Sequence, residues 1–229
     1  MLRKKYINNN YVVLIPLRKG SKRIKNKNFK KINNIPLVNY TLNVCLKIFN
    51  RKNIYFTSND PQAFRLAKIL NLNCVKRPNN ICTANSSTEE AVLHFLSTCE
   101  KKKIPKNIVI LQVTSPMRIA KDITECIEKF KRKKLDSIFS VFKSKSFIWS
   151  KRNKKLVSLN FNFKNRPRSQ NLEYLYHENG SIYIFNSKKF LKHKNRIFGN
   201  FDFFEMDEKR SLDIDDMNDI KKLQQNLNE

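Results

Sequence analysis

The chain has 229 residues, enough for one domain with a sizeable hydrophobic core, and its 40% apolar and 11% aromatic content excludes disorder over most of its length. Lys and Arg outnumber Asp and Glu by 47 to 19, a formal charge of +28. The lysines are spread through every segment rather than gathered in a tail or stripe, which argues against a nucleic-acid-binding module and for compositional bias together with an anionic small-molecule ligand.

In chain order, the basic, polar start Met1 to Asn10 and the short apolar run after it lack the length of a signal peptide or membrane span, so a soluble cytoplasmic protein is expected. The run Tyr11 to Pro16, rich in β-branched residues, reads as a buried strand of a parallel sheet. Leu37, Tyr40, Val44 and Ile48 have helical spacing, which predicts a helix from Leu37 to Phe49. Asn53 to Thr57 predicts a strand, Ser58-Asn-Asp-Pro61 the cap of a helix reaching about Leu70, and Asn73 to Lys76 a short strand. Ser86 and Ser87 followed by Glu89 and Glu90 form a capping-box pattern for a helix through Cys99. Asn107 to Val113 predicts another buried strand, Ala120 to Lys133 an amphipathic helix, and Ser137 to Phe142 a further strand.

This alternation predicts an α/β fold, a mostly parallel sheet flanked by helices with right-handed crossovers. The pattern breaks over 143–176, a polar stretch with Phe147, Trp149, Phe161 and Phe163 that reads as an inserted, β-rich arm on a single domain covering 1–229. It resumes with a strand at Ser181 to Phe185 and a helix at about Asn218 to Leu227. The five cysteines, Cys45, Cys74, Cys82, Cys99 and Cys126, form no C-x-x-C pair. Free thiols are therefore expected rather than a zinc site or disulfides.

Three segments carry chemistry. Arg18-Lys-Gly-Ser-Lys-Arg-Ile-Lys-Asn-Lys-Asn28 follows the first strand, where open α/β sheets bind ligands, and its cations suit a polyphosphate; a solvated basic turn reads equally well. It is not a Walker A loop and lacks the glycines of a dinucleotide fingerprint. Leu111-Gln-Val-Thr-Ser-Pro-Met-Arg118 ends a second strand and places the amide of Gln112 where it needs partners. In Ser211-Leu-Asp-Ile-Asp-Asp216, Asp213 and Asp215 alternate with apolar residues, so an extended backbone puts both carboxylates on one face; a cation between them, Mg²⁺ with a phosphate oxygen, relieves their repulsion. The plainer reading is a helix cap at Asp216 preceded by surface acids.

Taken in order, these segments with Arg77-Pro78, Ser86-Ser87-Thr88, Arg166-Pro-Arg-x-Gln170 and Glu178-Asn-Gly-Ser-Ile-Tyr183 resemble the acylneuraminate cytidylyltransferases, or CMP-sialic acid synthetases, from about Val12 to the C-terminus. The resemblance implies a Rossmann-like nucleotidyltransferase fold with a protruding dimerisation arm at 143–176, a homodimer, and Mg²⁺ as cofactor. It implies transfer of CMP from CTP to the anomeric hydroxyl of a nonulosonic (sialic-type) acid with release of pyrophosphate. Kdo or another acid sugar is the sibling alternative. Leu17, Arg18, Ser21, Lys22, Lys27, Asn28, Arg77, Ser86, Ser87 and Thr88 would bind the nucleotide. Gln112, Arg168 and Tyr183 would face the sugar acid, Asp213 and Asp215 would hold the metal, and Arg18, Lys27, Arg168 and Asp215 would carry the catalysis. The chain departs from the usual pattern at Lys19, Ala84, Asn85, Ser169 and His177; the last two would border the sugar.

Overall fold

The computed structural model describes residues 6–101 and 104–228; of the basic start Met1 to Asn10, residues 1–5 lie outside this range, as do 102, 103 and 229. The first strand, β1 (Tyr11–Leu17), is buried on both sides because its side chains alternate between two layers. Tyr11, Val13, Ile15 and Leu17 enter one apolar cluster, Val12 and Leu14 the other. After it come a small ladder of β2 (Lys31–Ile32) with β3 (Ile35–Pro36), then α1 (Leu37–Ile48), β4 (Ile54–Ser58), α2 (Pro61–Leu70), β5 (Asn73–Lys76), α3 (Thr88–Thr98), β6 (Asn107–Leu111), α4 (Ala120–Arg132) and β7 (Ser137–Ser144). The second half holds β8 (Trp149–Arg152), β9 (Lys155–Ser158), β10 (Leu175–Asn186), α5 (Ser187–His193), β11 (Phe201–Glu205) and α6 (Met217–Asn228).

Seven strands form one sheet in the order β11-β7-β10-β6-β1-β4-β5. β1 pairs in parallel with β4 and β6, β4 with β5, and β7 with β11; β10 runs antiparallel to both its neighbours. The mostly parallel sheet read from the sequence is thus present, with one reversed strand inside it. Residues of α1, α2, α4 and α6 pack with the Val13/Ile15 layer, and those of α3 and α5 with the Val12/Leu14 layer. The chain turns outward on either side of β1, toward β4 in one direction and β6 in the other. The carboxyl ends of β1 and β6 therefore border a crevice at the topological switch point.

Local signals placed the helix starts. Asp60 caps α2 by accepting from the Gln62 backbone at 2.9 Å, with Pro61 at the first helical position. Ser87 and Glu90 close a reciprocal capping box at α3. The sequence reading missed α5, a short helix burying only Ser187 and Phe190, and β11, a half-exposed edge strand in which acids interrupt the phenylalanines. It also foresaw less than half of β10. That strand shifts register between Glu178 and Tyr183, where Gly180 has a φ of +67°. The buried Asn179 staples the bulge. It accepts from Ser140 Oγ at 2.6 Å and Ser181 N at 3.2 Å, and donates to Ser211 Oγ at 2.9 Å.

The irregular stretch is an excursion between the ends of β7 and β10, whose Ser144 and Leu175 still pair in the main sheet. β8 and β9 form a separate two-stranded hairpin within it. Phe147, Trp149, Phe161 and Phe163 pack edge-to-face or tilted against one another, with the Arg166 guanidinium 3.9 Å from the Phe147 ring centroid. Trp149, Leu156, Leu159 and Phe163 remain exposed.

Candidate active site

A cleft at the carboxyl ends of β1 and β6 is lined by Arg18, Ser21, Lys27, Asn28, Arg77, Ser86, Ser87, Thr88 and Gln112, together with Pro16 and Thr114. Its empty space, part of it open solvent, is about 600 Å³. Nine residues singled out in the sequence, from four separate segments, are brought to one place.

The first loop is built to expose its cations. Gly20 takes a φ of +88° and Asn26 one of 55°, letting the chain reverse twice, while Ile24 is buried and pins the loop to the core. Asn28 donates to the Arg18 carbonyl at 3.1 Å, and Arg18 Nη1 donates to the Gly20 carbonyl at 3.2 Å, which closes the loop on itself. Leu17 is part of the core, and its carbonyl accepts from Ser58 Oγ. Lys22 is exposed and outside the cleft lining.

Arg77 is only 3% exposed, yet its Nη2 donates to the neutral Thr57 carbonyl at 2.9 Å and its Nε has no partner among the described residues. Burial lowers its pKa, and the neighbouring Arg18 charge pushes the same way, against Cys82 and Glu90. A buried guanidinium with an unpaired N–H beside a second arginine is the electrostatic signature of a site for an anion or a strongly accepting base. The N-terminus of α3 meets the cleft through Ser87 and Thr88 and adds its positive end. Gln112 Nε2 reaches Thr88 Oγ1 at 3.4 Å, joining the two walls.

Asp213 and Asp215 flank the fully buried Ile214 and so stand on the face away from the core. Ile214 N donates to the Thr114 carbonyl at 2.7 Å, which holds the segment against the end of β6 without extending the sheet. Solvent reaches Asp213, but protein crowds it enough that lost hydration raises its carboxyl pKa. The Thr114 hydrogen bond and Lys27 lower it, while Asp215 and Asp219 add to the rise. Lys27 Nζ donates to the Ile214 carbonyl at 2.6 Å and to Asp215 Oδ1 at 3.3 Å. Asp216 caps α6, as the plainer reading had it, by accepting from Asn218 N at 2.7 Å and Asp219 N at 3.2 Å.

Two mutually repelling carboxylates beside a cationic cleft fit a hard divalent ion completed by substrate oxygens and water. No cluster of three metal-ligating side chains occurs among the described residues, so the protein supplies only part of such a coordination shell.

Two predicted sugar contacts lie elsewhere. Arg168 sits exposed on the arm, and among the described residues no hydrogen bond or ion pair fixes its guanidinium. Tyr183 is core: its ring packs with the Val12/Leu14 layer beneath the Arg196 guanidinium, and its hydroxyl donates to Glu178. Burial and that hydrogen bond raise its pKa. The structure adds two residues without a role in the sequence reading. Thr114 lines the cleft and tethers the Asp213 segment. Arg118 is fully buried; its Nη1 donates to Ser181 O at 2.7 Å and Ser181 Oγ at 2.9 Å, and its Nη2 to Thr41 Oγ1 at 3.0 Å and Gln112 O at 3.3 Å. Both stand in the quoted Thr-Ser-Pro segment, but nothing in their spacing marks one as a tether and the other as a buried clamp.

A sequence profile described as cytidylyltransferase matches residues 12–226. Among curated relatives, the N-acylneuraminate cytidylyltransferase of Escherichia coli O18:K1:H7 is 29% identical over 215 residues, 92% of this chain and 50% of that one. That of Streptococcus agalactiae serotype V is 27% identical over 91% of this chain and 51% of its own length. The B form from Danio rerio is 28% identical over 88% and 48%. The chain spans about half the length of these relatives. Two solved structures share the fold. One is CMP:2-keto-3-deoxy-manno-octonic acid synthetase complexed with CTP, with a TM-score of 0.68 at 14% identity, covering 95% of this chain and 98% of that one. The other is 4-diphosphocytidyl-2C-methyl-D-erythritol synthase, with a TM-score of 0.71 at 10% identity, covering 96% and 99%.

Proposed function

We propose that this chain, which belongs to the cytidylyltransferase family, transfers CMP from CTP to the anomeric hydroxyl of a nonulosonic acid and releases pyrophosphate. The observation that carries the reading is the convergence of Arg18, Lys27 and the incompletely paired Arg77 on one cleft at the switch point. The N-acylneuraminate cytidylyltransferase names of the relatives supply the acceptor class.

In-line displacement at the α-phosphate requires positioning and charge neutralisation more than covalent participation. Arg18, Ser21, Lys27 and the more exposed Lys22 would hold the triphosphate, with Asn28 keeping the loop closed around it. Arg77 and Ser86 to Thr88 would read the cytidine, where a buried N–H needs an acceptor. Gln112 follows Leu111, which pairs with Ile182 at the β10 bulge; it lines the cleft and would meet the sugar acid. Asp213 and Asp215 would hold Mg²⁺, which supplies charge neutralisation at the phosphate under attack. The proton of the attacking hydroxyl would pass to Asp215 or a water it holds.

Arg168 would reach the sugar carboxylate only from the arm. We read that arm as a dimerisation surface in a two-fold homodimer, because its exposed Trp149, Leu156, Leu159 and Phe163 need cover. The unit as a whole is read as one nucleotidyltransferase domain in the cytoplasm.

The test is pyrophosphate release with each of four nucleoside triphosphates against neuraminic, legionaminic, pseudaminic and Kdo acceptors, with Mg²⁺ present. Release with CTP and a nonulosonic acid is expected. Release with Kdo alone would move the protein to the sibling activity, and no release with CTP and any acid sugar would sink the reading.

A further inference from the structure

Both carboxylate oxygens of Asp215 are engaged by cations: Oδ1 by Lys27 Nζ at 3.3 Å and Oδ2 by Arg23 Nη2 at 3.2 Å. The Arg23 guanidinium is thus held one carboxylate's width from Lys27, a residue of the cleft wall. It hangs from the loop that carries Arg18 and Ser21, positioned by the buried Ile24 next to it. Its side chain is 67% exposed and that of Asp215 47%, so the pair is weak and exchangeable. A triphosphate is a denser anion than one carboxylate, and a guanidinium can grip two of its oxygens at once.

We propose that Arg23 is a further triphosphate-binding residue and a gate on the cation site: with Lys27 it occupies Asp215 until the triphosphate draws both cations away and leaves the carboxylate to the metal. This rests on the nucleotide reading above. Nucleotide and metal then each strengthen binding of the other, by linkage.

The experiment compares wild type, Arg23→Gln, Arg23→Lys and Lys25→Gln. Lys25 is exposed in the same loop and, among the described residues, forms no ion pair with Asp215, so its loss controls for the bare change of charge. Three affinities are measured by calorimetry: Mn²⁺ alone, and CTP and cytidine each in the presence of EDTA. Arg23→Gln is expected to bind Mn²⁺ about three- to fivefold more tightly and CTP about fivefold more weakly, with cytidine unchanged. Arg23→Lys should lie between wild type and Arg23→Gln on both counts. In an Asp215→Asn background the metal shift should disappear, while the CTP shift should persist. If Arg23→Gln only matches Lys25→Gln, or weakens both ligands, the gate is overturned while the nucleotide reading stands. If wild type fails to prefer CTP over cytidine, the nucleotide reading falls and takes the gate with it.

Discussion

At the scale of single residues, the site is made of charges placed at some cost to the fold. Asp213 is the clearest case. Its carboxyl pKa is raised in the folded protein, chiefly by lost hydration, so the fold favours its protonated form. The ionised form therefore costs stability at every pH above the raised value, and the cost disappears as pH falls below the unfolded value of about 4. Asp213→Asn should raise Tm at pH 7.5 by an amount that shrinks toward pH 4, while Mg²⁺-dependent turnover is lost. A Tm gain independent of pH would show that the residue's charge is not responsible. Arg77 poses the opposite case, a buried cation whose Nε lacks a partner among the described residues. Arg77→Met should weaken cytidine and CTP binding alike, roughly ten- to hundredfold, because a charge-assisted hydrogen bond is worth about 1.5–3 kcal/mol. Arg18→Met should weaken CTP several times more than cytidine, since in the proposed reading the loop cations would face the phosphates. Fluorescence or calorimetric titration with both ligands separates the two roles.

At the scale of elements, the quoted segments turn out to be joints as much as contacts. Arg118 lies beneath the cleft and clamps three elements through acceptors on α1, at the end of β6 and in the β10 bulge. Burial pushes its guanidinium down to about 10, so it remains charged at neutral pH. Arg118→Leu would orphan those acceptors and is expected to cost about 3–5 kcal/mol in urea unfolding, with a loss of turnover from displacement of Gln112. Retention of wild-type stability would show that water takes over its bonds. Asn179 does the same for the bulge, linking Ser140, Ser181 and Ser211 and so tying β10 to the loop of Asp213 and Asp215. The segments Glu178 to Tyr183 and Ser211 to Asp215 were legible in the sequence as features of one family, but their mutual contact was not. A hydrogen bond between residues 32 positions apart leaves no trace in spacing. Strand and helix starts were legible because caps, prolines and apolar runs act within a few residues. β11 and α5 were not, because neither buries enough apolar surface to show a period.

At the scale of the molecule, the charge of +28 and the arm set the expectations. A field of that sign speeds the arrival of an anionic substrate and is screened by salt. The apparent KM for CTP should therefore rise severalfold between low and moderate ionic strength, with kcat changing far less. The arm stabilises itself partly through its aromatic cluster and the Arg166 stack, but it leaves a broad apolar surface in water. Leu156→Glu with Leu159→Glu should convert a dimer to a monomer in light scattering at micromolar concentration without unfolding the main sheet. A wild-type mass already at the monomer value would remove the dimer reading. Among the described residues no helix is long and apolar enough to cross a membrane. All five cysteines are free, with the Cys45 thiol pushed up to about 12 by burial and so inert.

What the sequence determined by itself was local: where β1, β4, β5 and β6 run, where α2 and α3 start, and that the cations of Arg18 to Asn28 follow a strand end. Each of these depends on periodicity, capping or strand-end position, properties of neighbours along the chain. Tertiary structure decided the rest. Crossing from β1 to β4 on one side and to β6 on the other placed the first loop, Arg77, Ser86 to Thr88 and Gln112 around one cleft. Reversal of β10 carried Asn179 to Ser211, and the Thr114 carbonyl held Ile214 so that Lys27 and Arg23 met Asp215. Tyr183 went to the core for the same reason: its register opposite Ile110 turned its side chain into the packed layer, a choice made by strand pairing and not by the residue.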